Sequence, residues 1–135
     1  MGKKYFFYGS LRDDDVLELV IQKPVKEYFV SDFKIEGWKT VYVKGEKYPA
    51  LCEASGGSSE GKLYSGFSDT ELEKLNYFEI EYRLSPLDRD SDIWAWLPRN
   101  DLELTKISWN FNHFLEFEKE KFLRRTKYYM EKGVW

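Results

Sequence analysis

Two short segments carry the groups from which a reactive site can be built. Tyr5 to Leu11 reads Tyr-Phe-Phe-Tyr-Gly-Ser-Leu, an apolar strand run that breaks at Gly9 and enters a helical stretch opened by Ser10 and by Asp13 to Asp15. A glycine at a strand end has access to positive φ, so successive amides can converge on one point, and a helix N-terminus adds partial positive charge. Carboxylates and phosphates favour such places, but strand-glycine-helix junctions also arise for purely geometric reasons. Asp13 to Asp15 would repel an anion if they faced it; their place in the first helical turn predicts caps directed to solvent. The second segment, Leu72 to Arg83, begins as an amphipathic helix and leaves it near Phe78. Glu79 falls at the helix-strand junction beside Tyr77, Phe78 and Ile80. A carboxyl among apolar neighbours has a raised pKa and can take and return a proton near neutral pH. The same position also suits a solvated helix-end residue or a partner for Arg83.

The elements that must position these groups follow from periodicity. Lys4 to Tyr8 reads as a strand and Asp13 to Gln22 as a helix with Val16, Leu19 and Val20 on one face, stopped by Pro24. Lys26 to Val30, Phe33 to Trp38, Thr40 to Lys44, Ala50 to Ala54 and Lys62 to Phe67 are strand-like, with Ser55 to Glu60 as a flexible hairpin loop. Asp69 to Phe78 reads as a helix capped by Ser68 or Asp69, followed by strands over Glu81 to Leu87 and Ile93 to Leu97 around a polar turn. Trp109 to Glu131 lacks proline and glycine and predicts a long helix ending before Gly133, with Phe111, Phe114, Leu115, Phe122 and Tyr129 on one broad face. Mixed strand order without βαβ alternation predicts an α+β domain with a mainly antiparallel sheet, spanning residues 1–135 as one unit.

Composition narrows the function classes. Aromatic residues make up 19% of the chain, so large rings must fill much of the core and line any pocket. A net charge of −3 with Lys and Glu interspersed leaves no basic stripe, which argues against nucleic-acid binding through phosphate neutralisation. Cys52 is the only cysteine and His113 the only histidine, so an internal disulfide is excluded and a Cys/His metal centre is not expected. Cys52 reads as a small strand residue and His113 as a helix-face residue rather than as a catalytic pair. No apolar run approaches a signal region or a membrane span, which predicts a cytoplasmic protein without membrane association.

Several short motifs in order resemble the gamma-glutamylcyclotransferase-like superfamily, in particular its gamma-glutamylamine cyclotransferase and avirulence-induced-gene-like branch. Tyr8-Gly9-Ser10-Leu11 looks like the family's Tyr-Gly-Ser/Thr-Leu loop, Tyr48-Pro49-Ala50-Leu51 like its Tyr-Pro-Ala segment, and Gly61-Lys62-Leu63-Tyr64 like its Gly-x-Leu-Tyr strand. Leu75-Asn76-Tyr77-Phe78-Glu79 is similar to its Leu-Asp-x-Phe/Tyr-Glu, Tyr82-Arg83 to the Tyr-Arg that follows, and Ala95-Trp96 to its Ala-Trp strand. Asn76 stands in place of aspartate, Lys62 in place of a frequent acid, and Ile80 in place of the glycine after the glutamate, which implies a different direction for Glu79. The resemblance implies a small mixed, mainly antiparallel β-barrel or strongly curved sheet with flanking helices and a long C-terminal helix. It further implies that Glu79 is general base and acid for a cyclotransferase that releases 5-oxoproline and an amine from a γ-glutamyl amine or peptide. Tyr8, Gly9, Ser10, Leu11, Tyr82 and Arg83 would hold the substrate, no cofactor or metal would be needed, and the protein would be a monomer or homodimer. The alternative is a non-catalytic small-ligand-binding or interaction protein that retains the fold and the pocket.

Overall fold

A computed structural model describes residues 2–88 and 92–133. The turn expected between the strands after Glu79 falls on residues 89–91, outside the described residues. Six strands form one mixed sheet: β1 (Lys4–Phe7), β2 (Phe29–Val43), β3 (Pro49–Ser65), β4 (Tyr82–Pro86), β5 (Ile93–Pro98) and β6 (Leu104–Ser108), in the order β4-β5-β1-β3-β2-β6. Only the β1/β5 pair is parallel; the other neighbours run antiparallel. Helices α1 (Asp14–Ile21) and α2 (Asp69–Phe78) are joined by a C-terminal helix that runs as α3 (Phe111–His113), a π segment (Phe114–Glu118) and α4 (Lys119–Lys132).

β1 shows why both faces of this sheet are buried. Its side chains alternate, so Tyr5 and Phe7 join one apolar cluster with Val16, Leu17 and Leu75 from the helices, while Phe6 and Tyr8 join a second. The second cluster contains Trp38 of β2 and Ala95 of β5, strands separated in the sheet by two others. That face of the sheet therefore contributes side chains of four strands to one cluster. The sheet does not close: among the described residues β4 and β6 remain edges, so the barrel form of the expectation gives way to an open sheet.

Three sequence expectations are corrected. Ser55 to Glu60 lies inside β3 rather than in a loop, and the hairpin turns instead between Val43 and Pro49. Glu36 pairs with Ser58 but Trp38 with Glu53, so β3 carries extra residues there; Gly37 and Gly56 absorb the shift at φ 85° and 78°, which side chains disfavour. The Lys26 to Val30 run opens with a 3-10 turn, Val25–Glu27, before β2 begins at Phe29. The edge strand β6, whose Lys106 and Ile107 are exposed, was not expected at all.

Each helix boundary has a local cause. Asp13 caps α1 by accepting from the Val16 amide at 3.2 Å, and Lys119 bridges Asp13 and Asp15 at 2.9 and 2.8 Å, so this acidic run serves capping and helix docking. α1 buries Val16, Leu17, Val20 and Ile21, with Leu17 rather than Leu19 in the centre of the face. Ser68 caps α2 in a capping box with Glu71. Burial pushes the Glu71 carboxyl up, but the Ser68 amide, Lys23 and Tyr28 outweigh it and hold the pKa below the ordinary carboxylate value. Gly133 ends α4 at φ 75°.

α4 carries one buried group without a partner. Thr126 is fully buried and its hydroxyl makes no hydrogen bond. Thr126→Val keeps the branched shape while removing the stranded hydroxyl, and is expected to raise stability by about 1 kcal/mol in urea unfolding. A loss of stability would mean that the hydroxyl has an acceptor in solution.

Candidate functional site

Glu79 is held at the C-terminal end of α2 by its own backbone. Its amide donates to the Leu75 carbonyl at 2.8 Å, closing the last helical turn, and its carbonyl accepts from the Tyr82 amide at 2.9 Å, starting the turn into β4. Ile80, which stands in place of a glycine, is 58% exposed and has negative φ, so this backbone path accepts a β-branched residue. The Glu79 side chain enters a cavity of about 280 Å³. Among the described residues its carboxyl forms no hydrogen bond or ion pair, with Arg83 or any other group. Surrounding protein removes water from the carboxyl and pushes its pKa up to about 8.

The Tyr8 to Leu11 segment lines the same cavity. Gly9 has φ −118°, so the expected positive φ is absent; the glycine is needed for space, since a Cβ there would lie 2.7 Å from Cγ of Pro49. Ser10–Arg12 forms one 3-10 turn, closed by the Arg12 amide on the Gly9 carbonyl at 3.0 Å and the Asp13 amide on the Ser10 carbonyl at 3.1 Å. The amides of Ser10 and Leu11 begin this turn, and helical geometry leaves such leading amides without an acceptor inside the turn.

Two phenols complete the polar wall. The Tyr8 hydroxyl donates to the Trp96 carbonyl and the Tyr82 hydroxyl to the Pro49 carbonyl, each at 2.6 Å. Burial and the neighbouring Glu79 raise the pKa of both, so both stay protonated. With their protons committed to carbonyls, their oxygens remain acceptors. Arg83 follows Tyr82 along β4, is exposed and is not among the residues that line the cavity, as strand alternation turns it away from Tyr82.

The C-terminal helix supplies a wall that the sequence reading assigned to core contact. Phe122 and Tyr129 line the cavity. Phe122 meets Phe78 edge-on with ring centroids 6.1 Å apart. Tyr129 stacks on Tyr77 at 4.8 Å and donates to the Tyr77 carbonyl at 2.7 Å, tying α4 to the helix that presents Glu79. Glu46, Tyr48 and Glu81 also line the cavity, Glu81 accepting from the Tyr48 hydroxyl at 2.7 Å; among the described residues no Lys or Arg lines it. Cys52 lies in β3, its thiol pushed up by burial, and His113 sits on α3 against Phe117, so neither joins the site. Among the described residues no group of three or more His, Cys, Asp and Glu side chains converges as for a metal, and no helix is long and apolar enough to cross a membrane.

The arrangement combines a carboxyl that can exchange protons near neutral pH, phenol oxygens that can accept, and a turn whose leading residues, Ser10 and Leu11, line the same cavity. Proteins of similar sequence and shape place the chain in a family. AIG2-like protein D of Arabidopsis thaliana is 29% identical over 137 residues, covering 93% of this chain and 88% of that protein. AIG2-like protein C of the same plant is 26% identical, covering 93% and 77%. A solution structure of another Arabidopsis thaliana protein superposes with a TM-score of 0.61 at 25% identity, covering 98% of this chain and 93% of that one. A gamma-glutamyl cyclotransferase structure shares the fold, with a TM-score of 0.60 at 14% identity over 90% of this chain and 86% of that one. The family model described as gamma-glutamyl cyclotransferase, AIG2-like, matches residues 5–111, most of the fold and every segment of the cavity except the C-terminal helix, and the chain therefore belongs to that family.

Proposed function

We propose that this protein is a cyclotransferase that closes the glutamyl group of a γ-glutamyl amine or peptide to 5-oxoproline and releases the amine, with Glu79 as base and then acid. The observation that carries the reading is the unpaired Glu79 carboxyl, its pKa raised to about 8, in a ring-lined cavity shared with the Tyr8 to Leu11 loop. The reaction asks for little covalent chemistry from the protein. The substrate's α-amine attacks its own γ-carbonyl carbon, the new C–N bond closes a five-membered ring, and the old amide C–N bond breaks. Holding the glutamyl chain folded makes that attack intramolecular and gives it a high effective concentration.

Each task has a group suited to it. The α-ammonium must lose a proton before attack, and an ionised Glu79 accepts it; the same carboxyl then protonates the leaving nitrogen. Acceptor oxygens of Tyr8 and Tyr82 orient the ammonium toward that carboxylate. The Ser10 and Leu11 amides receive the α-carboxylate, which finds no basic side chain among the described lining residues. The rings of Phe78, Trp96 and Phe122 exclude water from the amine being activated.

The test is 5-oxoproline release from a panel of γ-glutamyl compounds whose leaving groups are free amino acids, lysine side chains, polyamines or peptides. At least one compound is expected to turn over, and its kcat/KM should rise with pH with a midpoint near 8, as the carboxylate of Glu79 forms. Silence across the panel from folded protein would remove the catalytic reading and leave the non-catalytic ligand-binding one.

A further inference from the structure

A second depression, of about 820 Å³, shares Tyr8 with the Glu79 cavity but has the opposite charge. Among the described residues its charged lining residues are Arg12, Lys34 and Lys39 against the single acid Glu60, whereas the Glu79 cavity holds three acids and no base. In a chain of net charge −3, a concentration of cations around one hollow is a local feature with no cause in composition.

Arg12 is the centre of it. Its guanidinium carbon lies 4.1 Å above the ring of Phe111, which fixes the plane of the group, and its Nε is buried without an acceptor. Among the described residues no carboxylate pairs with it; Glu60 and Asp32 act on it only at longer range, and burial lowers its pKa. Lys39 forms no ion pair there either, and Lys34 reaches Glu36 only at 4.0 Å. A partly dehydrated guanidinium without a counter-charge is costly in the free protein, and an anion accepting two parallel N–H bonds recovers that cost. Thr40 and the buried Ser59, whose hydroxyls are 2.5 Å apart, add polar groups to the floor, and Asn110 and Asn112 add amides.

We propose that this groove binds a small multivalent anion through its carboxylate or phosphate groups, seated on Arg12 with Lys39 as the second cationic contact. The inference does not rest on the proposed reaction, since none of its named contacts lines the Glu79 cavity. The experiment is an NMR titration of the labelled protein with inorganic pyrophosphate in one arm and citrate in the other, at constant ionic strength set by chloride. Saturable shifts centred on Arg12, Lys39 and the Trp109 indole are expected in at least one arm, which then identifies the anion type. Arg12→Gln and Lys39→Gln should each weaken that binding by about tenfold or more, whereas Glu79→Gln should leave it unchanged. Lys39 is half-buried on β2 and outside the core clusters, so its variant tests the site even if Arg12→Gln folds poorly. Absence of saturable binding in both arms, or affinity unaltered by Lys39→Gln, would overturn the proposal.

Discussion

Glu79→Gln is expected to lower kcat by about two to four orders of magnitude and, in the same molecule, to raise stability at alkaline pH. Glutamine keeps the size and polarity of the side chain but neither accepts the ammonium proton nor returns one to the leaving nitrogen. The stability effect follows from proton linkage. The carboxyl titrates near 4.5 when freely solvated and at about 8 in the folded protein. Between those values the native state keeps a proton that the unfolded chain has released, so stability falls as pH rises, by no more than about 1.4 kcal/mol per pH unit. The glutamine variant lacks this slope, so its advantage should be absent below pH 4.5, grow through the window and level off above 8. Urea unfolding of both proteins across that range reads it, alongside 5-oxoproline release from whichever substrate the panel identifies. Parallel stability profiles would show that Glu79 ionises freely in the fold; unchanged kcat would remove it as the proton carrier.

The sequence made this carboxyl legible because helical phase and strand phase meet at it. Leu72 and Leu75 set the face of α2, the helix ends at Phe78, and Glu79 is the first residue past a buried stripe with no turn left to rotate it into solvent. Ser68 and Glu71 announced the start of that helix, since a capping box is a local pattern. The opposite wall was harder to read. Phe122 and Tyr129, one heptad apart, present as a core stripe, and nothing local distinguishes a ring that packs on protein from one that lines a hollow. The π segment Phe114–Glu118 also rotates the stripe: a wider turn shifts the helical phase after Phe114, leaving Leu115 38% exposed although simple periodicity buried it. Tyr48 and Glu81, bonded at the cavity wall, come from segments 33 residues apart and are related only by tertiary folding. The strand count failed for a different reason. Polar residues from Ser55 to Glu60 resemble a loop, but pairing with β2 keeps them in the ladder, and glycines at the bulge absorb the irregularity.

The largest expected loss of stability comes from Gly61→Ala, at a position where conformational freedom is not the issue. Gly61 is buried in β3 with φ outside the positive range, in the Gly-Lys-Leu-Tyr motif that pairs with β1. A Cβ built there would sit 2.2 Å from the Phe7 carbonyl oxygen and 2.7 Å from a ring carbon of Phe6. Neither neighbour can yield. The carbonyl belongs to the central strand, and the Phe6 ring is fully buried in the second core cluster against Phe33 at 5.8 Å. One methyl group must therefore separate β1 from β3, breaking ladder hydrogen bonds at the strand that leads directly into the Tyr8 to Leu11 loop. Overpacking together with lost pairing is expected to cost about 3 kcal/mol or more. Gly9→Ala makes a useful contrast because its close neighbour is a single ring carbon of Pro49 rather than backbone, so its strain falls on the loop. Urea midpoints measured side by side should place Gly61→Ala far below the parent and Gly9→Ala between them. A Gly61→Ala midpoint equal to that of the parent would show that β1 and β3 do not approach at the distance on which the core and the site are both built.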